Sequence, residues 1–434
     1  MSTGEGRVRE IRTDYLARVE GEGAMSVRIR DGELEEVLFK IFEPPRFFEA
    51  LLRGRQFTEA PDITARICGI CPMAYITSSC NAMEAACGVE LSEPVRRLRR
   101  LAYCGEWVES HMLHTVMLHA PDFLGYDGAI EMAREHRDLI ERGLRLKKAG
   151  NTLMEVIGGR AVHPVNFRVG GFYRMPARGD LVALVPELEW ALDAAVGLTR
   201  WVAGFDFPDF EQDYVFVSLR QPGEYPIERG RIVASTGLEL EVSEYEAYFT
   251  EEHVARSHAL HSNLRDVGSY LVGPLARYAL NSHELTPVAR GLADDAGLGA
   301  VCRNPFRSII VRAIETVYAL EEALRLIAAY EPFEPPAADV QPRQASGCGA
   351  SEAPRGLCWH RYAIDDDGTI LDAKIVPPTS QNQGMIEQDL VSLVRRELHR
   401  PDAELAHLCE QTIRNYDPCI SCATHFLRFE VERR

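Results

Sequence analysis

Between Ser92 and Met112, apolar or small residues recur at Val95, Leu98, Ala102, Gly105, Val108 and Met112, three or four apart. That spacing lines one face of a helix, and Ser92 is a good N-cap for it. The stripe runs on through ESHMLHTVMLHA, and similar periodicity over 127–149, 181–203 and 307–330 predicts three more long helices. All are apolar enough to pack as a central bundle. Near the N-terminus the period shortens: SVRIR and EEVLFKIF flank Asp31-Gly32, which predicts a hairpin over roughly 26–42. RFFEALLRGR then reads as a short helix. Between 204 and 250 the pattern is again strand-like, in DYVFVSL and RGRIVAS, and LCWHRYAI and TILDAKIV flank the turn DDDG at 365–368 as a further hairpin. The Pro-rich segment 331–344 reads as a loop, and no repeat or low-complexity tract stands out. The predicted class is α+β, mainly helical: a central long-helix bundle with peripheral β-hairpins.

Composition narrows the function more than the fold. The net charge of −17 argues against nucleic acid, because phosphate binding needs clustered Lys and Arg. No secretory h-region opens the chain, and no uninterrupted apolar run is long enough for a membrane span, so a cytoplasmic protein is expected. Eleven cysteines in that setting are expected to be reduced. Seven of them lie singly, and their simplest reading is small buried hydrophobes.

The other four form two C-x-x-C pairs at opposite ends of the chain, Cys68/Cys71 in RICGIC and Cys419/Cys422 in DPCISCATH. Four thiolates suit zinc, an iron–sulfur cluster or another soft metal. Structural zinc usually joins pairs about 15–20 residues apart, whereas here a large helical body separates them. Because each end supplies one pair, the N- and C-terminal pairs are expected to meet in the interior, as parts of one interlocked unit. Arg66, Asp417 and His425 add charge and ligand capacity close to the thiols.

With these motifs assembled, the chain resembles the large subunit of nickel–iron hydrogenases. RVEGEG (18–23), RICGIC (66–71), GPLAR (273–277), NPF (304–306), EAPRG (352–356) and DPCISCATH (417–425) occur in the family's order and span essentially the whole chain. The resemblance implies that all four cysteines bind nickel. Cys68 and Cys419 would be terminal ligands, while Cys71 and Cys422 would also bridge to an iron carrying carbon monoxide and cyanide. Arg355 would hang over the metals, held by the acids Asp122 and Asp417. Glu20 would be the proton-gate carboxylate beside Cys419, able to relay protons where burial tunes it. Thr379 is the candidate partner for a cyanide. Glu49, nineteen positions before Cys68, and His425 would bind magnesium. Splitting hydrogen heterolytically needs a hydride acceptor and a base placed together. The metals would be the first, and a terminal thiolate or the Arg355 guanidine the second. The resemblance also implies a maturation endopeptidase that cuts after His425, so that 1–425 forms the mature domain and 426–434 is removed.

One departure is Tyr75, where many members carry a His that donates to the bridging sulfur. CGICPMAY and CISCATH are similar to the cytosolic sulfhydrogenase-type branch that works with NADP. The single cysteines form no iron–sulfur set, and no G-x-G-x-x-G follows a strand. Electrons from H2 are therefore expected to leave through an iron–sulfur small subunit, then through diaphorase subunits carrying FAD and NAD(P). His163 and Arg160, in GRAVHPVNFRVGG, either line the region around the site or belong to a structural loop. His111, His114 and His119 have no clean ligand spacing and suit the core. The leading reading is the catalytic chain of a bidirectional nickel–iron hydrogenase. The alternatives are an NAD-linked or deazaflavin-reducing relative, a structural zinc protein, and a non-catalytic paralogue akin to the quinone-site subunit of respiratory complex I. Loss of the thiol pairs would mark that last reading, and all four thiols are present.

Overall fold

The computed structural model describes residues 8–424. Strand β1 (Val8–Thr13) pairs antiparallel with β2 (Gly23–Arg30), and β2 pairs in turn with β3 (Glu33–Ile41). The β2–β3 turn is Asp31-Gly32, with φ of 53° and 86°. A two-residue turn with both φ positive matches the twist of the flanking strands, and Asp-Gly adopts it readily, which is why this pair predicts the hairpin. Along β2 the residues Met25, Val27 and Ile29 are buried while their neighbours are more exposed, the period of two expected of a one-sided sheet. The partner strand β1 is an addition that the local pattern did not announce.

The long helices are α1 (Pro72–Cys87), α2 (Glu93–Met112), α3 (Arg137–Gly158), α4 (Val185–Ala203), α5 (Ser308–Ala328), α6 (Pro378–Glu397) and α7 (Asp402–Arg414). Helix α2 packs on α3 and α5, and α5 packs on α4. Ser92 is the N-cap of α2, as its sequence predicts, and α2 continues into a π-helical stretch, Leu113–His119. The third helix starts later than its apolar stripe suggests, at Arg137, and runs on to Gly158.

A sheet near the C-terminus positions the site. Its strands are β4 (Ala345–Ala353), β5 (Gly356–Ile364) and β6 (Ile370–Val376), joined in that order and antiparallel. The predicted hairpin is β5–β6. Strand β4 lies directly on α1, and a Cβ added to Gly349 would come within 2.4 Å of the Ser78 carbonyl and the Ala82 amide. Only glycine permits that approach. Pressed under this strand, α1 is buried on nearly every side. A smaller apolar cluster, including Leu219, Tyr245, Leu357 and Trp359, lies beside the main core. Among the described residues, no helix is long and apolar enough to cross a membrane.

Candidate metal centre

Cys71 is the N-cap of α1, with Pro72 at its first position. The C-x-x-C turn immediately before the helix folds back on itself, so the amides of Ile70 and Cys71 donate to Cys68 Sγ at 3.3 and 3.1 Å. The buried carboxyl of Glu106, from α2, accepts the Met73 and Ala74 amides at 2.5 and 3.2 Å. These are orphan N–H groups of the helix start, so Glu106 fixes where α1, and with it Cys71, begins.

The second pair arrives from the far end of the chain. The Ile420 amide donates to the Glu20 carbonyl at 2.9 Å, and Glu20 pairs with Cys419 as an isolated parallel bridge. Glu20 Oε2 accepts the Ser421 amide at 3.0 Å and the Cys419 thiol at 3.2 Å. The Cys419 amide donates to Thr379 Oγ1, at the start of α6, at 3.0 Å. Arg46 ties the two segments together: it donates to the carbonyls of Ile67 at 2.7 Å and of Ser421 at 3.0 Å.

The result is a buried group of four thiols whose sulfurs lie within 4.8 Å of one another, Cys68 and Cys419 being 3.5 Å apart. With metal–sulfur bonds of about 2.3 Å, two ligands of one ion lie at most about 4.6 Å apart. The sulfurs therefore suit one thiophilic ion or a close pair. Among the described residues, no other group of three or more His, Cys, Asp or Glu side chains converges in this way. Burial pushes Cys419 and Cys422 up. Cys68 is held well below the usual thiol range: burial opposes its charge, but hydrogen bonds from the other three cysteines and the charge of Arg355 outweigh it.

Arg355 is 2% exposed. Its Nε donates to the Asp417 carbonyl at 2.7 Å, and its guanidinium pairs with the Asp417 carboxylate at 3.1 Å and reaches Ser110 Oγ at 3.4 Å. Burial works against its charge, but Asp417 and the neighbouring cysteines keep it well above the ordinary guanidinium range. A second buried arginine, Arg277 of GPLAR, donates to the carbonyls of Ala353 and Pro354 at 2.8 and 2.9 Å and pairs with Glu315 and Glu352. It fixes the turn that presents Arg355. Neither Arg46 nor Arg277 was singled out from the sequence. The one hint lay in Arg277, a charge on an otherwise apolar stretch.

Asp122 corrects an expectation. Its carboxylate is taken by Arg414, at 2.7 and 2.8 Å, and by Arg18. Of the two acids expected to hold Arg355, Asp417 pairs with it and Asp122 is turned to Arg414 of α7. Glu49 stands on a short helix, Phe48–Leu52, accepts the Ile375 amide at 2.8 Å, and lines a cavity of about 610 Å³ together with Arg46, His253, Cys422 and Thr424. His425 and the tail 426–434 lie outside the described residues. The Tyr75 ring is fully buried, 5.7 Å from the His360 ring, and burial followed by the charge of Cys422 pushes its hydroxyl pKa up. His163 binds the Ala65 carbonyl at 2.7 Å, and Arg160 binds the His163 carbonyl. His111 faces Glu315 at 3.0 Å and His114 contacts the Arg414 carbonyl at 2.8 Å, so neither joins the thiols.

Residues 46–142 and 270–425, which contain both thiol pairs and Arg355, match the profile of the family described as nickel-dependent hydrogenase. The chain belongs to the nickel-dependent hydrogenase family. It is 33% identical to the alpha chain of sulfhydrogenase 1 of Pyrococcus furiosus over 423 residues, covering 96% of this chain and 98% of that one. It is also 33% identical to the alpha chain of sulfhydrogenase 2 from the same organism, covering 96% of this chain and 99% of that one. Among solved structures, an NAD+-reducing [NiFe]-hydrogenase in the H2-reduced state superposes with a TM-score of 0.87 at 26% identity, covering 97% of this chain and all of that one. A [NiFeSe]-hydrogenase from Dm. baculatum shares the fold, with a TM-score of 0.79. Against the structural-zinc alternative, this chain is an oxidoreductase of the nickel-dependent hydrogenase family, and its four cysteines of the two C-x-x-C pairs form one buried group.

Proposed function

We propose that this hydrogenase reversibly cleaves H2 into protons and electrons at a nickel–iron pair held by Cys68, Cys71, Cys419 and Cys422. The observation that carries the reading is the contact between the Cys419 thiol and Glu20 Oε2 at 3.2 Å, beside the buried Arg355. Cys68, Cys71, Cys419 and Cys422 would hold the nickel–iron pair, Cys68 and Cys419 on the nickel alone and Cys71 and Cys422 shared with an iron that would carry carbon monoxide and cyanide. When bound, that pair supplies the electron-accepting centre. The chain's own part is to hold and move the proton: a Cys419 thiol can pass it to Glu20, which is half-buried and so connects the interior with solvent. Arg355 keeps a fixed positive charge over the site, with Asp417 orienting it. Thr379 Oγ1 accepts the Cys419 amide and retains its own O–H to donate to a cyanide. Glu49 and His425 are assigned to magnesium.

Electrons are assigned to an iron–sulfur small subunit, then to FAD- and NAD(P)-binding diaphorase subunits, in a cytoplasmic complex. The likeness to sulfhydrogenase alpha chains and to an NAD+-reducing hydrogenase supports this route over a deazaflavin-linked one. Exposed Val162 lies 4.0 Å from a Cβ built on Gly69 in the Cys68 turn, exposed Val165 and Tyr173 line a cavity with Arg66, and this face is assigned to the small subunit. Maturation, on this reading, removes 426–434 and leaves 1–425 as one interlocked domain.

The deciding measurement is the infrared spectrum of the complex purified anaerobically from its host, where bands of iron-bound carbon monoxide and cyanide are expected. Their absence from protein with a trimmed tail and bound zinc would overturn the assignment. Glu20→Gln should lower turnover by about 10²–10⁴-fold while leaving those bands in place. Unchanged turnover would remove Glu20 from the proton path.

A further inference from the structure

Asp389 lies inside α6 and is fully buried. The hydroxyls of Tyr214 and Tyr416 both donate to its Oδ2, each at 2.7 Å. Its other oxygen, Oδ1, finds no hydrogen-bond partner among the described residues. No Arg or Lys pairs with this carboxyl among them either, so burial pushes it up to about 7, opposed only by the two phenols. Keeping an acid in such surroundings is unfavourable unless it organises something.

What it touches is the approach to the C-terminal thiol pair. Tyr416 precedes Asp417, whose backbone takes the left-handed conformation, φ 51°, uncommon for a residue with a side chain. That conformation turns both the Asp417 carbonyl and its carboxylate toward Arg355. Two residues further on is Cys419. The stretch is pinned in three places besides Arg355: the Asn415 carbonyl accepts Ser308 Oγ at 2.8 Å, the Tyr416 hydroxyl binds Asp389, and the Cys419 amide binds Thr379. Thr379 and Asp389 belong to the same helix, so α6 grips the loop from both sides of Asp417.

We infer that Asp389 is a positioning residue for the hydrogenase reaction: through the Tyr416 hydroxyl it fixes the backbone at Asp417, and so sets where Arg355 stands over the metal site. This rests on the nickel–iron reading above. Tyr214 serves as the internal control. It makes a hydrogen bond of the same length to the same oxygen, but its own chain segment carries none of the site residues.

The test compares Tyr416→Phe, Tyr214→Phe and Asp389→Asn in the complete complex, purified anaerobically from its host. The readouts are the carbon monoxide and cyanide stretching bands, nickel content and kcat for H2 oxidation. Each Phe variant removes one buried hydrogen bond and should lower thermal stability similarly. Only Tyr416→Phe should displace the bands and lower kcat, by about 10-fold or more, at unchanged nickel content. Asp389→Asn keeps an acceptor for both phenols and should retain wild-type bands. Wild-type bands and kcat in Tyr416→Phe, or equal displacement in Tyr214→Phe, would overturn the inference. If Tyr416→Phe fails to accumulate, Asp389→Asn and Asp389→Leu decide it: bands displaced equally in both, or in neither, would overturn it. Wild-type complex without such bands would instead sink the nickel–iron reading itself.

Discussion

The two thiol pairs share a motif but are built differently. The N-terminal pair is the cap of a helix: Cys68 Sγ accepts amides from its own turn, and α1 begins immediately after Cys71. Its position is inherited from where α1 lies, between Glu106 and the glycines of β4. The C-terminal pair has only a one-turn helix, Ile420–Ala423, behind it. Its geometry comes from side chains distant in sequence, namely Glu20, Thr379 and Arg46, and from Asp417 braced on Arg355. One half is thus set by local backbone on a rigid element, the other by tertiary hydrogen bonds. Disturbing the first should move a whole helix, whereas disturbing the second should move a loop.

The largest effects should erase the distinction. Cys68→Ala and Cys419→Ala each remove one of four converging ligands, so both should lose nickel by elemental analysis and H2-uptake activity down to background. A variant of one pair that kept full nickel would show that the pairs are not equivalent ligands. Next in size, Arg355→Lys keeps the charge but loses the planar fork that spans the Asp417 carbonyl and carboxylate. It should lower kcat by about 10²–10³-fold at unchanged nickel content, measured by H2 oxidation with a dye acceptor.

Stability variants should separate the halves. Gly349→Ala forces a methyl against the backbone of α1 and should destabilise by about 1–3 kcal/mol or more, seen as a lower melting temperature. Thr379→Val leaves the buried Cys419 amide without an acceptor and should destabilise by about 1–3 kcal/mol. Nickel should dissociate faster from the Thr379 variant, because there the loop moves and the helix does not. Equal nickel loss at matched stability would break the comparison.

A last effect touches stability alone and leaves the metal site in place: a pH dependence on the C-terminal side. Burial raises the folded-state pKa of Asp389 to about 7, against about 3.9 when unfolded. Across that window the folded chain binds more protons, so the contribution of Asp389 to stability falls as pH rises. Asp389→Asn has no such term. Its stability relative to wild type should therefore climb by about 1.4 kcal/mol per pH unit between roughly pH 4 and 7, then level off. Denaturant titrations at several pH values would show this, and a flat difference would mean that Asp389 is not buried as an acid.

Legibility in the sequence followed the reach of the forces involved. The Asp31-Gly32 hairpin and the Ser92 start of α2 were readable because turn and cap chemistry act over a few residues. Helix α1 was not, because a helix buried all round, here in PMAYITSSCNAMEAAC, has no polar face to create a period. The stripe over 127–149 placed the third helix too early. Its true course continues through Gly150, which fits against Gly105 of α2 and whose fitness for a helix depends on that crossing. The four cysteines, Glu20, Arg355 and Asp417 were identifiable by motif, and the structure brings them together. The partner of Asp122 was not, since Arg355 and Arg414 are equally plausible from the chain alone. Arg46, Arg277 and Asp389 carry no local signal of what they hold.

By itself, the sequence determined which atoms could make the centre: four thiols in two C-x-x-C turns, a carboxylate in RVEG and a guanidinium in EAPRG. Spacing within a motif is a property of a few bonds, so it survives any fold. Tertiary structure alone decided that the two pairs close to within 4.8 Å, that Arg355 answers to Asp417, and that α6 grips the loop between Thr379 and Asp389. Those relations join residues far apart along the chain. Their geometry depends on how helices and strands pack, through close contacts such as Gly349 on α1, and nothing in the local order of residues encodes it.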